Sequence, residues 1–244
     1  MASDRRTLAV ICARKGSKGL PGKNTRELCG RPLVCWTAEF AGQHARYSVA
    51  TSDDLAMLSM CQSIAGSRKI QRPEHLCGDD THIADVLIHA AEEAHNLFGE
   101  EPKELVLLYA NVPIRRPGVV EDALRMLRET GCDAVVSVAP VGKYHPWWML
   151  EAVPNGEGAF REYTCTEAPL SIYRRQDLPP LYVADGQVIV VKTEALLRSK
   201  DAKGGLYARF GNDVRILVEE RGASIDIDDE YDLLVAEAMM KARQ

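Results

Sequence analysis

Thr7-Leu8-Ala9-Val10-Ile11-Cys12 is a short apolar run without a charge, and it leads directly into Ala13-Arg14-Lys15-Gly16-Ser17-Lys18-Gly19-Leu20-Pro21-Gly22-Lys23-Asn24. A half-exposed strand would alternate between apolar and polar residues, so an unbroken run fits a strand buried on both faces of a parallel sheet. Such a sheet needs helices on either side. The loop that follows carries Arg14, Lys15, Lys18 and Lys23 among three glycines. Glycines allow positive φ and let main-chain N–H groups approach a ligand without Cβ interference. A guanidinium grips two phosphate oxygens at once, and ammonium groups act as mobile point charges. The loop therefore asks for a polyanion such as a nucleoside triphosphate, against the plainer alternative of a solvated basic loop. The P-loop and the dinucleotide fingerprint do not decide the matter, because Gly22-Lys23 is followed by Asn24 and the glycines fall at 16, 19 and 22.

Further along, short apolar runs alternate with amphipathic segments, the pattern of an open α/β sheet covered on both faces. The spacing predicts helices over 32–42, 53–65, 83–98 and 118–128, the second capped by Ser52 or Asp53. Strands are predicted over 47–51, 68–71, 105–109, 134–138, 187–191 and 214–218. Residues 142–181 lose this rhythm and hold Trp147-Trp148, Pro154-Asn155-Gly156, Pro169 and Pro179-Pro180, which reads as an excursion serving function or a subunit contact. With 244 residues, 46% of them hydrophobic, one core and a single domain over 1–244 are expected.

A net charge of −5 argues against a nucleic-acid binder and makes the local cation cluster informative. The seven cysteines form no C-x-x-C pair and are odd in number, as expected of reduced thiols in a cytoplasmic protein. The N-terminal apolar run is too short for a signal peptide, and no stretch approaches the ~20 apolar residues of a membrane span. The six histidines offer no defensible metal-ligand pairing.

Near the C-terminus, Asp226-Ile227-Asp228-Asp229 supplies a second chemical site. In an extended segment Asp226 and Asp228 project together while Ile225 and Ile227 face the core. Convergent carboxylates repel unless a cation sits between them, and Mg²⁺ takes one or two carboxylates together with waters and substrate phosphates. Taken alone, the run also reads as an acidic helix cap facing water, and Asp229 and Glu230 fit the start of a last helix.

The segment Ala13 to Asn24 resembles the A-R-x-x-S-K-G-[IL]-P-x-K-N loop of the acylneuraminate cytidylyltransferases, the CMP-sialic acid synthetase family. The likeness continues in order through Gly30-Arg31-Pro32-Leu33-Val34 with Trp36-Thr37, Ala50-Thr51-Ser52-Asp53-Asp54, Arg72-Pro73 with Asp79-Asp80, and Ser224-Ile225-Asp226-Ile227-Asp228. The resemblance implies a Rossmann-like three-layer α/β/α nucleotidyltransferase fold with a mainly parallel sheet and a dimerisation arm at 142–181 that completes the neighbour's sugar pocket. It also implies transfer of CMP from CTP to the anomeric hydroxyl of an acidic 2-keto sugar, with Mg²⁺ as cofactor, CTP and the sugar as partners, and a homodimer. Carried over, Ala13, Arg14, Ser17, Lys18, Gly19, Lys23, Asn24, Arg72 and Asp79 bind the nucleotide. Lys23, Arg14 and Asp226 are catalytic, Asp226 and Asp228 hold the metal, and Tyr109, Asn111, Trp148, Arg174, Asp185 and Gly186 meet the sugar.

Departures from the family concern the sugar. Tyr109 stands where sialic-acid-using members carry Gln, Trp148 where they carry Lys, and Asp185 where they carry Asn, whose donors an Asp lacks. Nearby Lys143, or Arg174, which matches a sugar-binding arginine of the family, would replace the lost charge. The alternatives left open are a changed acceptor, an eight-carbon acid or a sugar phosphate, and a nucleotide-binding homologue without catalysis.

Overall fold

The computed structural model describes residues 7–17, 19–45, 47–153, 158–163 and 172–243. Its first half consists of β1 (Thr7–Cys12), the short ribbon β2 (Glu27–Leu28) and β3 (Arg31–Pro32), α1 (Leu33–His44), β4 (Tyr47–Ser52), α2 (Leu55–Ala65), β5 (Arg68–Gln71), α3 (Ile83–Phe98), β6 (Glu104–Tyr109) and α4 (Val119–Thr130). The second half runs through β7 (Ala134–Pro140), the arm hairpin β8 (Leu150–Ala152) and β9 (Phe160–Glu162), β10 (Tyr182–Lys192), α5 (Thr193–Arg198), β11 (Val214–Val218) and α6 (Glu230–Lys241). One seven-stranded sheet has the order β11-β7-β10-β6-β1-β4-β5. All pairings in it are parallel except those of β10, which runs antiparallel to β6 and β7. This is the mainly parallel, three-layer α/β arrangement expected.

The uncharged opening run has the predicted cause. Ala9 and Ile11 point into a core shared with α1, α2 and α4, while Leu8, Val10 and Cys12 point into a second core under α3 and α5. A charge at any of these positions would be desolvated on one face or the other. A third cluster holds Leu20, Leu28, Leu33, Ile114, Ile227 and Ala236, and it ties the cationic loop to the D-x-D segment and α6.

Two details differ from the sequence reading. The cap of α2 is Asp54, whose carboxylate accepts from the N–H groups of Ala56 and Met57. Asp53 instead accepts from the Lys15 N–H at 2.8 Å, and Ser52 Oγ from the Asp54 N–H at 3.0 Å. In addition, β10 begins at Tyr182, five residues earlier than read, with a register shift between Ala184 and Ile189. The described residues of 142–181 form the separate β8–β9 ribbon and short 3-10 turns outside the main sheet. Pro154-Asn155-Gly156, Cys165 and Pro169 lie outside the described residues.

Candidate active site

The C-terminal ends of β1, β4 and β6 open onto a cavity of about 310 Å³, lined by Ala13, Arg14, Ser17, Lys23, Asn24, Arg72, Asp79, Tyr109 and Asn111, all singled out in the sequence. Open α/β sheets bind ligands at this end of their strands. Cys12, Leu76, Thr81, Ile83 and Val86 also line it and went unnoticed, because they carry no motif. Lys18 lies outside the described residues.

Local bonds hold the loop in shape. The Asn24 amide donates to the Arg14 carbonyl at 3.1 Å, fastening the two ends of the loop together. Asn24 is buried, with 7% exposure, and its Oδ1 has no partner among the described residues. Gly22 adopts φ +66, a left-handed conformation that turns the chain into Lys23. Gly19 is demanded by a close approach, since a Cβ there would lie 2.6 Å from the Asp228 carbonyl oxygen. The loop thus packs backbone against backbone on the D-x-D segment, although the two are about 200 residues apart in sequence.

Two cations of this cleft have a carboxylate partner, while Arg72 and Asp226 are held by neutral groups. Arg14 pairs with Asp79 at 2.6 Å, and Lys23 Nζ with Asp228 Oδ1 at 2.7 Å. Arg72 is buried and donates to Thr51 through Nε and Nη2, the latter at 2.9 Å from the carbonyl oxygen. Asp226 accepts from the Asn111 amide, while the Ile227 N–H donates to the Asn111 carbonyl at 3.0 Å. Ile227 is fully buried, so it anchors the segment while Asp226 and Asp228 flank it. Water reaches Asp226 from the cleft, yet desolvation by the surrounding protein and then the charge of Asp228 push its carboxyl up to about 6.

A second cavity, of about 220 Å³, is lined by Tyr109, Gly186 and Asp226 together with Ser137 and apolar side chains from α3, β7, β10 and the loop before β11. Tyr109 and Ile83 line both cavities. Burial raises the Tyr109 phenol far above its ordinary pKa, with Cys12, Tyr207 and Asp226 adding to the effect. Asp185 turns inward: its carboxylate accepts from Ser137 Oγ at 2.5 Å, the Gln187 N–H at 3.1 Å and Gln187 Nε2 at 2.7 Å. Arg115, beneath both cavities, donates to the carbonyls of Gln187, Val112 and Tyr109, and burial pushes its pKa down to about 9. It is a scaffold residue that sequence reading left without a role.

Trp148 and Arg174 line neither cavity. Trp148 Nε1 donates to the Ile172 carbonyl at 3.1 Å, and Arg174 pairs with Asp177 at 2.8 Å, both on the arm. Among the described residues no group of three or more His, Cys, Asp or Glu side chains gathers in a metal-binding cluster. No described helix is long and apolar enough to cross a membrane.

Comparison with known proteins agrees with this geometry. Over 243 residues the chain is 28% identical to the CMP-N,N'-diacetyllegionaminic acid synthase of Legionella pneumophila, covering 98% of both chains. It is 30% identical over 196 residues to the N-acylneuraminate cytidylyltransferase of Streptococcus agalactiae, covering 79% of this chain but 45% of that longer protein. In fold it resembles the CMP:2-keto-3-deoxy-manno-octonic acid synthetase complexed with CTP, with a TM-score of 0.71 at 18% identity over 98% of this chain and 100% of that one. The sequence profile of a family described as Cytidylyltransferase matches residues 8–144. That stretch is over half of the chain and contains β1, the cationic loop, Arg72 and Tyr109. The chain therefore belongs to the cytidylyltransferase family and is a nucleotidyltransferase that uses CTP.

Proposed function

We propose that the acceptor is the anomeric hydroxyl of an acidic 2-keto sugar of the nonulosonic class, converted to a CMP-sugar with release of pyrophosphate. The observation that carries this reading is adjacency: the cation-lined cavity and the second cavity share Tyr109 and Ile83 and have the D-x-D segment beside them. A triphosphate in the first then faces a hydroxyl in the second. The names of the Legionella and Streptococcus relatives support the acceptor class.

In the step itself, the anomeric oxygen bonds to the α-phosphorus as the bond to the bridging oxygen breaks. Pyrophosphate leaves with that electron pair, and the hydroxyl proton passes to water. Holding the two reactants in line removes much of the entropic barrier. Lys23 and Arg14 stabilise charge growing on the α-phosphate, Ser17 and Lys18 hold the β- and γ-phosphates, and Gly19 keeps the loop close to Asp228. Ala13, Arg72 and Asp79 frame the nucleoside, and the unpaired Asn24 Oδ1 is left for a donor on the ligand. Tyr109, Asn111 and Gly186 face the sugar, and Asp185 shapes the wall through Ser137 and Gln187.

Asp226 and Asp228 are the residues that would hold Mg²⁺. Asp226 and Asp228 stand close enough for the charge of one to raise the carboxyl of the other, and such a two-carboxylate site suits an ion that completes its shell with water and phosphate oxygens. When bound, Mg²⁺ supplies charge neutralisation at the phosphates and lowers the pKa of the acceptor hydroxyl.

The reading makes 1–244 one catalytic unit and gives the arm a place in a homodimer, where Trp148 and Arg174 reach the neighbour's sugar. Leu150 and Phe160 support this, being 60% and 62% exposed on the β8–β9 hairpin. The free state of all six described cysteines supports a reducing, cytoplasmic setting.

The test is pyrophosphate release from CTP, with GTP, UTP and ATP as controls, against sialic, legionaminic, pseudaminic and Kdo acids and Mg²⁺. Turnover is expected with CTP and a nonulosonic acid. Turnover with the eight-carbon acid alone would replace the acceptor class, and CTP binding without pyrophosphate from any acid would leave a nucleotide-binding module.

A further inference from the structure

The second cavity has a chemical character of its own. Its inner wall is built by Val136, Ile189 and Phe210, which are 2%, 5% and 1% exposed, and Leu206 stands at its mouth with 70% exposure. The polar atoms on this wall are already used. Ser137 Oγ accepts from the Val188 N–H at 3.0 Å and lies within hydrogen-bond reach of Asp185 and the Val188 carbonyl. Both carboxylate oxygens of Asp185 are taken up by Ser137 and Gln187. Among the described lining residues there is no Lys, Arg or His. The polar groups left are the phenols of Tyr109 and Tyr207 and the carboxylate of Asp226, which faces the nucleotide side through Asn111.

We infer that this cavity takes the part of the acceptor that carries an apolar substituent, a deoxy terminal methyl or the methyl of an N-acyl group. Val136, Ile189 and Phe210 thereby select such acids over acids with a hydroxylated tail at that place. The inference rests on the acceptor reading given under Proposed function. A volume of about 220 Å³ equals the share of roughly seven liquid waters, which suits one substituted arm of a sugar. A hydroxyl placed against Val136, Ile189 and Phe210 loses water and finds no partner on those side chains. An apolar pocket rejects an added hydroxyl by no more than about 100-fold, and each methyl newly buried is worth about four-fold.

The experiment compares kcat/KM for two nine-carbon 2-keto acids, one di-N-acylated with a terminal methyl and one singly acylated with a trihydroxylated tail. It uses the full chain with CTP and Mg²⁺. A preference of about 10- to 100-fold for the first acid is expected. Val136→Thr adds a hydroxyl at nearly constant volume, and Leu206→Gln alters an exposed residue that folding does not depend on. Each should narrow the preference at least about three-fold, chiefly through the KM of the acylated acid, while the circular dichroism spectrum stays that of the parent. Equal use of the two acids, or preference for the hydroxylated one, overturns this inference and leaves the transferase reading standing. Silence with both acids despite CTP binding overturns the transferase reading and this inference with it.

Discussion

A methyl group added at Gly19 would meet the carbonyl oxygen of Asp228 at 2.6 Å, and a backbone atom cannot rotate away as a side chain can. Ordinary contact begins at 3.4 Å, so in Gly19→Ala the loop and the D-x-D segment must separate by about 0.8 Å. Lys23 and Asp228 face each other across the same seam at 2.7 Å, so the displacement reaches the catalytic groups directly. Misplacement on the scale of 1 Å costs on the order of 100-fold in rate. We expect kcat/KM for pyrophosphate release to fall about 10- to 100-fold, with a thermal midpoint within a few degrees of the parent because the clash is local and near solvent. Gly205→Ala, at a residue that lines neither cavity, is the internal control: nothing lies within 4 Å of a Cβ there, so activity should be retained. Wild-type kcat/KM in Gly19→Ala, or an equal loss in Gly205→Ala, would refute the reasoning that contact with Asp228 sets the loop.

Asp228→Asn should abolish Mg²⁺-dependent turnover by more than about 100-fold. Its midpoint should move little, because the Asp228 side chain is 73% exposed and such pairs contribute about 0–1 kcal/mol; normal activity across a Mg²⁺ titration would contradict the assignment. Asp226 is raised from 3.8 to about 6, so between those values the folded chain binds more protons than the unfolded one, and stability falls as pH rises through that window. Metal-free Asp226→Asn should therefore exceed the parent by about 1 kcal/mol at pH 7.5, after discounting for solvent access, and match it near pH 4. Urea melts with the same gap at both pH values would sink that claim. Arg115→Leu leaves the Gln187 carbonyl without its donor, while those of Val112 and Tyr109 keep Thr37 Oγ1, and should cost about 1–3 kcal/mol in denaturant unfolding, against under about 1 if the guanidinium were only filler.

The parts of this molecule that were legible in its sequence are those whose cause is local. β1 could be read because successive residues feed two different cores, and the nucleotide loop because its residues are contiguous. The cap of α2 was misplaced because Ser52, Asp53 and Asp54 are all good caps. Tertiary structure decided among them by giving Asp53 to the Lys15 N–H. The antiparallel direction of β10 leaves no trace in an apolar run, and α5 is six residues long, too short for a helical period to show. The second cavity was invisible for a different reason. Ile83, Val136, Ile189 and Phe210 come from four separate segments, and in sequence each looks like any other core residue. Of its lining, Tyr109, Gly186 and Asp226 are singled out in the sequence, and Tyr109, a departure from the family's Gln, stands where the two cavities meet.

The carboxylates beside Lys23 and Arg14 bear on how nucleotide and metal bind. Clustered cations repel one another, and Asp228 and Asp79 hold two of them in the cleft at the modest cost of pairs that solvent partly screens. On the proposed assignment a triphosphate would bind by exchange, taking Lys23 from Asp228 and leaving that carboxylate exposed beside Asp226. The same carboxylate is the proposed metal ligand, so nucleotide and metal each create what the other needs, and their binding free energies are coupled reciprocally. Without metal, Asp228 competes with the phosphates for Lys23. Asp228→Asn in the presence of a chelator should therefore bind CTP up to about five-fold more tightly than the parent, the equivalent of a partly screened ion pair. With Mg²⁺ present the order should reverse. Calorimetric titration under both conditions separates this from a purely structural role, which would weaken CTP binding in both and leave no crossover.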